Sequence, residues 1–168
     1  VVPQDETTPF NPKNVYGVTK LFAHEMTRMY REKFGLHTSC GILYNHESEL
    51  RGMQFVTRKI TSTVARISKG SDETLELGNL DSSRDWGYAP EYVEAMHRML
   101  QSETGGIYVL ATGKTITVRE FTETAFRAVG IQVDWQGEGV NQLGVNRSNG
   151  KTLGRVNPQF FRPIEDNL

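Results

Sequence analysis

A single cysteine, Cys40, among 168 residues excludes an internal disulfide and a multi-cysteine metal site; flanked by β-prone residues, it reads as a small buried hydrophobe. No apolar run approaches the roughly 18 residues of a membrane-spanning helix, and no charged-then-apolar leader opens the chain, so the expectation is a cytoplasmic protein without a membrane partner. An excess of one charge is also missing. Nineteen basic against 20 acidic side chains leave a net charge of -1, which argues against nucleic acid as a partner but leaves room for local cationic patches. His24 and His97 have no partners at metal-ligand spacing, so no metal is expected. The Gly-rich dinucleotide fingerprint G-x-x-G-x-x-G is absent, as are internal repeats and low-complexity linkers. There is no initiator Met, and Val1 to Pro9 reads as an arriving loop, so the chain is expected to be a piece of a longer protein.

What is present fits one ordinary globular domain, with 37% hydrophobic and 23% charged residues. Its most informative stretch is Tyr16-Gly17-Val18-Thr19-Lys20. Four residues make one helical turn, so a phenol and an ammonium can share a face and reach a common ligand. A free phenol, with a pKa of about 10, is a poor base at neutral pH, and a neighbouring cation favours its phenolate. Tyr16 can then exchange a proton with a substrate hydroxyl while Lys20 holds a cofactor sugar. The bland alternative is an amphipathic helix with one half-buried Tyr and a solvated Lys.

The pattern alternates helices and strands. Asn11-Pro12 suits a helix start, and apolar residues recur at helical spacing from Val15 to Tyr30, until Gly35. The run 37–44 (HTSCGILY) predicts a buried strand, and 45–54 a polar loop beyond its carboxyl end, the edge at which open α/β sheets bind ligands. A helix is expected over 55–69, a short strand over 74–77, a charged turn over 82–85 and a helix over 89–100. A strand follows over 107–111. Thr117 is expected to cap a helix reaching Val129, with Glu120 completing a capping box. Another strand is expected over 131–135, and the Gly- and Asn-rich stretch 137–154 reads as a loop or hairpin.

Several polar groups invite two readings each. Asn45-His46-Glu47-Ser48 is either a solvated turn or a ligand contact. Arg51, Arg58, Lys59 and Arg84 are separate surface cations or a grip on two phosphates. Arg84-Asp85-Trp86 also suits an ion pair packed under an indole. Arg162 and Glu165 flank Pro163 and suit either ribose and purine recognition or a salt bridge.

Taken in order, the stretches ETTPFNPKNVYGVTK (6–20), GILYNHES (41–48), RGMQFVTRKIT (51–61), LGNLDSSRDWG (77–87), YVLATGKTITVREF (108–121) and FFRPIE (160–165) resemble the GDP-mannose 4,6-dehydratases, within the extended short-chain dehydrogenase/reductases. The resemblance implies an α/β fold: the C-terminal part of a Rossmann-like doubly wound parallel sheet over residues 1–70, carrying the Tyr16–Lys20 helix, with a smaller α/β substrate lobe over 71–168 and a chain crossover between them. It implies NADP, favoured over NAD, as cofactor and GDP-mannose as substrate. Hydride leaves the sugar C4 while Tyr16 takes the C4 hydroxyl proton, C5 loses its proton, water leaves C6, and hydride returns to C6, giving GDP-4-keto-6-deoxymannose.

By the same resemblance Tyr16, Lys20, His46 and Arg51 contact the cofactor. Asn45, Val56, Lys59 and Arg84 contact the sugar nucleotide, with Arg162 and Glu165 near the guanosine. A homodimer or homotetramer is expected. The family's elimination Glu, its Ser or Thr partner and its phosphate-loop glycines are not among these residues, so the 168 residues alone are expected not to turn over. Glu49-Leu50-Arg51-Gly52 stands where Pro-Arg-Arg-Gly is usual, which exchanges a cation for an anion. A related nucleotide-sugar 4-reductase or 4-epimerase, or a non-catalytic nucleotide-sugar binding fragment, are the alternative readings.

Overall fold

The computed structural model describes residues 3–162. In chain order the elements are α1 (Val15–Phe34), β1 (Cys40–Leu43), β2 (Asn45–Glu47), α2 (Val56–Ser68), β3 (Leu75–Leu77), β4 (Ser83–Tyr88), α3 (Ala89–Gln101), β5 (Ile107–Leu110), β6 (Thr115–Thr117), α4 (Val118–Ala128), β7 (Val133–Gln136), a 3-10 turn (Gly139–Asn141), β8 (Leu143–Asn146) and β9 (Thr152–Val156). The chain divides into two units, Val1–His46 with Trp86–Gly113 and Glu47–Asp85 with Lys114–Leu168. The division therefore falls inside β2, inside β4 and after Gly113, where the sequence reading set one boundary near residue 70.

In the first unit β1 and β5 pair in parallel, Cys40 opposite Ile107 and Leu43 opposite Leu110. The pairing continues past the strand ends, with Cys40 N donating to Gly106 O and Tyr44 N to Leu110 O. Arg31 ties α1 to this ladder, its guanidinium donating to Thr38 O at 3.0 Å and Gly106 O at 3.2 Å. A small core gathers Tyr92, Met99 and Leu110, with Ala95, Met96 and Tyr108 against them. Cys40 is buried, but the rest of β1 is not, so the fully buried strand expected over 37–44 is shorter and more open than its apolar spelling suggests.

Helix α1 starts three residues later than expected. Asn14, not Asn11, is the cap, its Oδ1 accepting from Gly17 N at 2.9 Å and satisfying a first-turn amide. Pro12 instead packs against the first turn near Gly17. The helix ends as anticipated at Gly35, whose φ of 64° is a left-handed conformation that glycine adopts without a Cβ penalty, and whose amide returns to Arg31 O. None of its 20 residues is buried.

The second unit holds the larger core. Ile60, Val64 and Ile67 of α2, Leu75 and Leu77 of β3, Leu80, Val118 and Phe126 of α4, and Leu153 and Val156 of β9 are buried together with Thr122. Each large side chain removed from water contributes about 1.5–3 kcal/mol. Its sheet runs β3-β9-β8-β7, with β3 parallel to β9 and the other pairs antiparallel. The loop or hairpin expected over 137–154 is thus a hairpin, its register shifted at Gly144/Val145. The charged turn expected over 82–85 is instead the start of β4, where Ser83–Asp85 pair antiparallel with Thr117–Thr115. Polar spelling concealed β4 and its partner β6, because the two lie some thirty residues apart rather than next to each other in sequence. Thr117 caps α4 with the full capping box: Thr117 Oγ1 accepts from Glu120 N at 3.0 Å, and Glu120 Oε2 accepts from Thr117 N at 2.7 Å.

Candidate active site

In the first unit the second residue of α1 is Tyr16, and Lys20 sits one turn along. Tyr16 is 70% exposed, and Lys20 Nζ lies 5.2 Å from the centre of its ring. The helical spacing read from the sequence therefore does bring the two heads onto one open face. Next to Tyr16, Thr19 turns its hydroxyl back onto Tyr16 O at 2.7 Å, which keeps it off that face.

Asn45 and His46 fall on β2 rather than in the expected loop. The His46 ring is fixed from two sides. Its Nδ1 is 2.9 Å from Tyr44 O, and since a carbonyl only accepts, Nδ1 is the donor, the tautomer that leaves the lone pair of a neutral imidazole on Nε2. The ring also stacks on Tyr92, with centres 5.0 Å apart and planes 22° apart. Tyr92 was not singled out in the sequence, and no spacing rule links positions so distant along the chain.

In the second unit Arg51 forms an ion pair with Glu47, Nε to Oε2 at 3.1 Å, and its guanidinium lies 3.5 Å from the centre of the Phe55 ring. Glu47 in turn accepts from Thr57 Oγ1 at 2.7 Å. This cation is held on the loop before α2 by a carboxylate and an aromatic face. Val56 opens α2 and Lys59 follows within the first turn. Lys59 Nζ is 4.2 Å from the centre of the Phe160 ring, and burial pulls its ammonium below the usual lysine range while Glu76 opposes that shift. Arg84 lies on β4 and donates to Ser83 O at 2.7 Å. Arg162 O accepts from Asn79 Nδ2 at 3.4 Å. Glu165 lies outside the described residues.

Within this unit the structure brings Lys59 beside Phe160, two residues before Arg162, so a cation of α2 and the closing FFRP run share one place. Sequence reading named Lys59 and Arg162 but missed Phe160; the doubled aromatic beside an arginine was the available signal. Glu47 and Phe55, which hold Arg51, were spelled out at i−4 and i+4 but went unpaired in the reading. Among the described residues no three His, Cys, Asp or Glu side chains gather as a metal set, and no helix is long and apolar enough to cross a membrane.

An exposed phenol beside an ammonium, with an acceptor imidazole on β2 of the same unit, offers groups that a nicotinamide dinucleotide needs: a cation and hydrogen-bonding groups for hydroxyls. Comparisons with known proteins bear on which ligands these are. The family profile described as GDP-mannose 4,6 dehydratase matches residues 1–168. A GDP-mannose 4,6-dehydratase of Sinorhizobium fredii (strain HH103) is 51% identical over 167 residues, covering 99% of this chain and 48% of that protein. A GDP-mannose 4,6 dehydratase of Drosophila melanogaster is 49% identical over 166 residues, covering 99% of this chain and 42% of that protein. The chain thus spans about half the length of the curated relatives it matches. The solved structure of RMD from Pseudomonas aeruginosa complexed with NADPH superposes with a TM-score of 0.76 at 20% identity, covering 98% of this chain and 50% of that one, which bears out the expected α/β fold.

Proposed function

The chain belongs to the GDP-mannose 4,6-dehydratase family, and from that premise we propose that it carries the proton-transfer pair and the sugar-nucleotide contacts of an enzyme that converts GDP-mannose to GDP-4-keto-6-deoxymannose. The observation that carries this reading is the Tyr16–Lys20 pair on an open face of α1, ring and ammonium 5.2 Å apart.

Tyr16 takes the proton of the sugar C4 hydroxyl, and Lys20 offsets the negative charge that the phenolate carries and holds the nicotinamide ribose. His46 presents Nε2 as an acceptor to the cofactor, and Arg51, held by Glu47 and Phe55, faces it with a fixed charge. Asn45, Val56, Lys59 and Arg84 bind the sugar nucleotide, Lys59 and Arg84 as cations for its phosphates, while Arg162 and Glu165 meet the guanosine. When bound, NADP supplies reversible hydride storage, which makes the dehydration redox-neutral. NADP is chosen over NAD on the resemblance to the GDP-mannose 4,6-dehydratases. The intact protein is cytoplasmic and assembles as a homodimer or homotetramer, for which the exposed apolar residues of α1, Phe22, Met29 and Tyr30, are consistent surface.

The intact protein incubated with GDP-mannose and NADP+ is expected to release a 4-keto-6-deoxy sugar nucleotide, detected by mass loss of one water. Cofactor binding with no such product contradicts the dehydratase reading.

A further inference from the structure

Tyr92 is 5% exposed, yet one face of its ring is given to His46 rather than to the core of Met99 and Leu110. The ring also abuts the backbone at Gly87. A Cβ built on Gly87 would fall 2.3 Å from the Tyr92 ring, closer than any real contact, so the ring occupies space that only a glycine leaves open. Gly87 is at the end of β4 and Tyr92 lies in the first turns of α3, so strand and helix together clamp the ring. His46 is then limited in two independent ways. The Tyr44 carbonyl fixes which nitrogen carries the proton, and the Tyr92 ring fixes the plane in which the imidazole lies. Rotation of the imidazole about its outer bond would break the hydrogen bond at 2.9 Å and tilt it out of the stack at once.

From this arrangement we infer that Tyr92, seated against Gly87, is a positioning residue for the cofactor site: it holds His46 with its Nε2 lone pair presented to a hydrogen-bond donor of the dinucleotide. The inference rests on the reading that His46 contacts the cofactor. It adds that the contact is made by an oriented acceptor, so that affinity depends on two residues that touch no ligand themselves.

The test is NADP+ binding to the intact protein by titration, on single and double variants. His46→Ala weakens binding, and Tyr92→Leu weakens it roughly tenfold, the size expected of two directly coupled residues. Tyr92→Phe, which keeps the ring, restores the affinity. In the His46→Ala background Tyr92→Leu costs nothing further, because its effect passes through His46. Gly87→Ala, which leaves every core side chain in place chemically and displaces the Tyr92 ring, reproduces the loss and serves if Tyr92→Leu fails to fold. Equal losses from Tyr92→Leu with and without His46 make Tyr92 a packing residue only and overturn the inference, as does unchanged binding in Tyr92→Leu. Unchanged binding in His46→Ala removes the cofactor contact itself, and the inference with it.

Discussion

Lys59 shows how one side chain is tuned by what surrounds it. Its ammonium is partly withdrawn from water, lies over the Phe160 ring at 4.2 Å and is attracted by the opposite charge of Glu76. Burial that costs a lysine hydration is retained most easily where an anion from outside completes the shell. Lys59→Ala in the intact protein is therefore expected to raise KM for GDP-mannose by roughly 10–100-fold, the range for losing a charged hydrogen bond, with kcat little changed. Steady-state kinetics check this, and an unchanged KM removes Lys59 from the sugar-nucleotide site. Arg51 is the contrasting case. Its charge was legible in sequence, but its commitment to Glu47 and Phe55 needed the structure, because a loop residue's partners depend on the turn it takes.

At the level of elements, local signals were read well where one element supplies both halves of an interaction. The capping box of α4 and the left-handed glycine after α1 are of that kind. Thr117→Ala breaks both hydrogen bonds to Glu120 made by the threonine hydroxyl and is expected to cost about 1 kcal/mol, read as a lower urea midpoint with unchanged slope. A midpoint within error of wild type contradicts the capping role. Strands were harder. β2 and the first half of β4 are spelled in polar residues, and Ser83–Asp85 are strand only because Thr115–Thr117 lie opposite. The first cap of α1 was misplaced for a related reason: Asn11 and Asn14 are both good caps, and only the reach of Asn14 to Gly17 N decides between them.

Across the molecule, charge is distributed so that the second unit is held at its edges by carboxylates. Asp72, Glu73, Glu76 and Asp134 are all shifted below their ordinary values, chiefly by side-chain hydrogen bonds from Lys151, Arg66, Arg155 and Arg147 respectively. Glu76 also accepts from Asn157 and, through Arg155, joins the parallel neighbours β3 and β9. A carboxyl whose folded value lies below its unfolded one, as for Glu76, contributes stability that is complete above the unfolded value and that is lost as pH falls through the folded value. The melting temperature is thus expected to drop on acidification through the carboxylate range, and that of Glu76→Gln to drop less steeply over the same window while starting lower at pH 7. Parallel curves for the two proteins contradict the linkage.

A crossover between two units was expected from the sequence, but the bounds of the units were not legible, since they depend on which strands associate rather than on any composition shift. The juxtaposition of Tyr16 and Lys20 was more legible than the architecture, because the two need only one regular helix to meet. Their partnership is tested most directly by Tyr16→Phe in the intact protein, which removes one oxygen and leaves the aromatic ring beside Lys20. Turnover of GDP-mannose is expected to fall by roughly 10²–10⁴-fold, as for loss of a general base, with GDP-mannose binding retained. A rate within a few-fold of wild type contradicts the account.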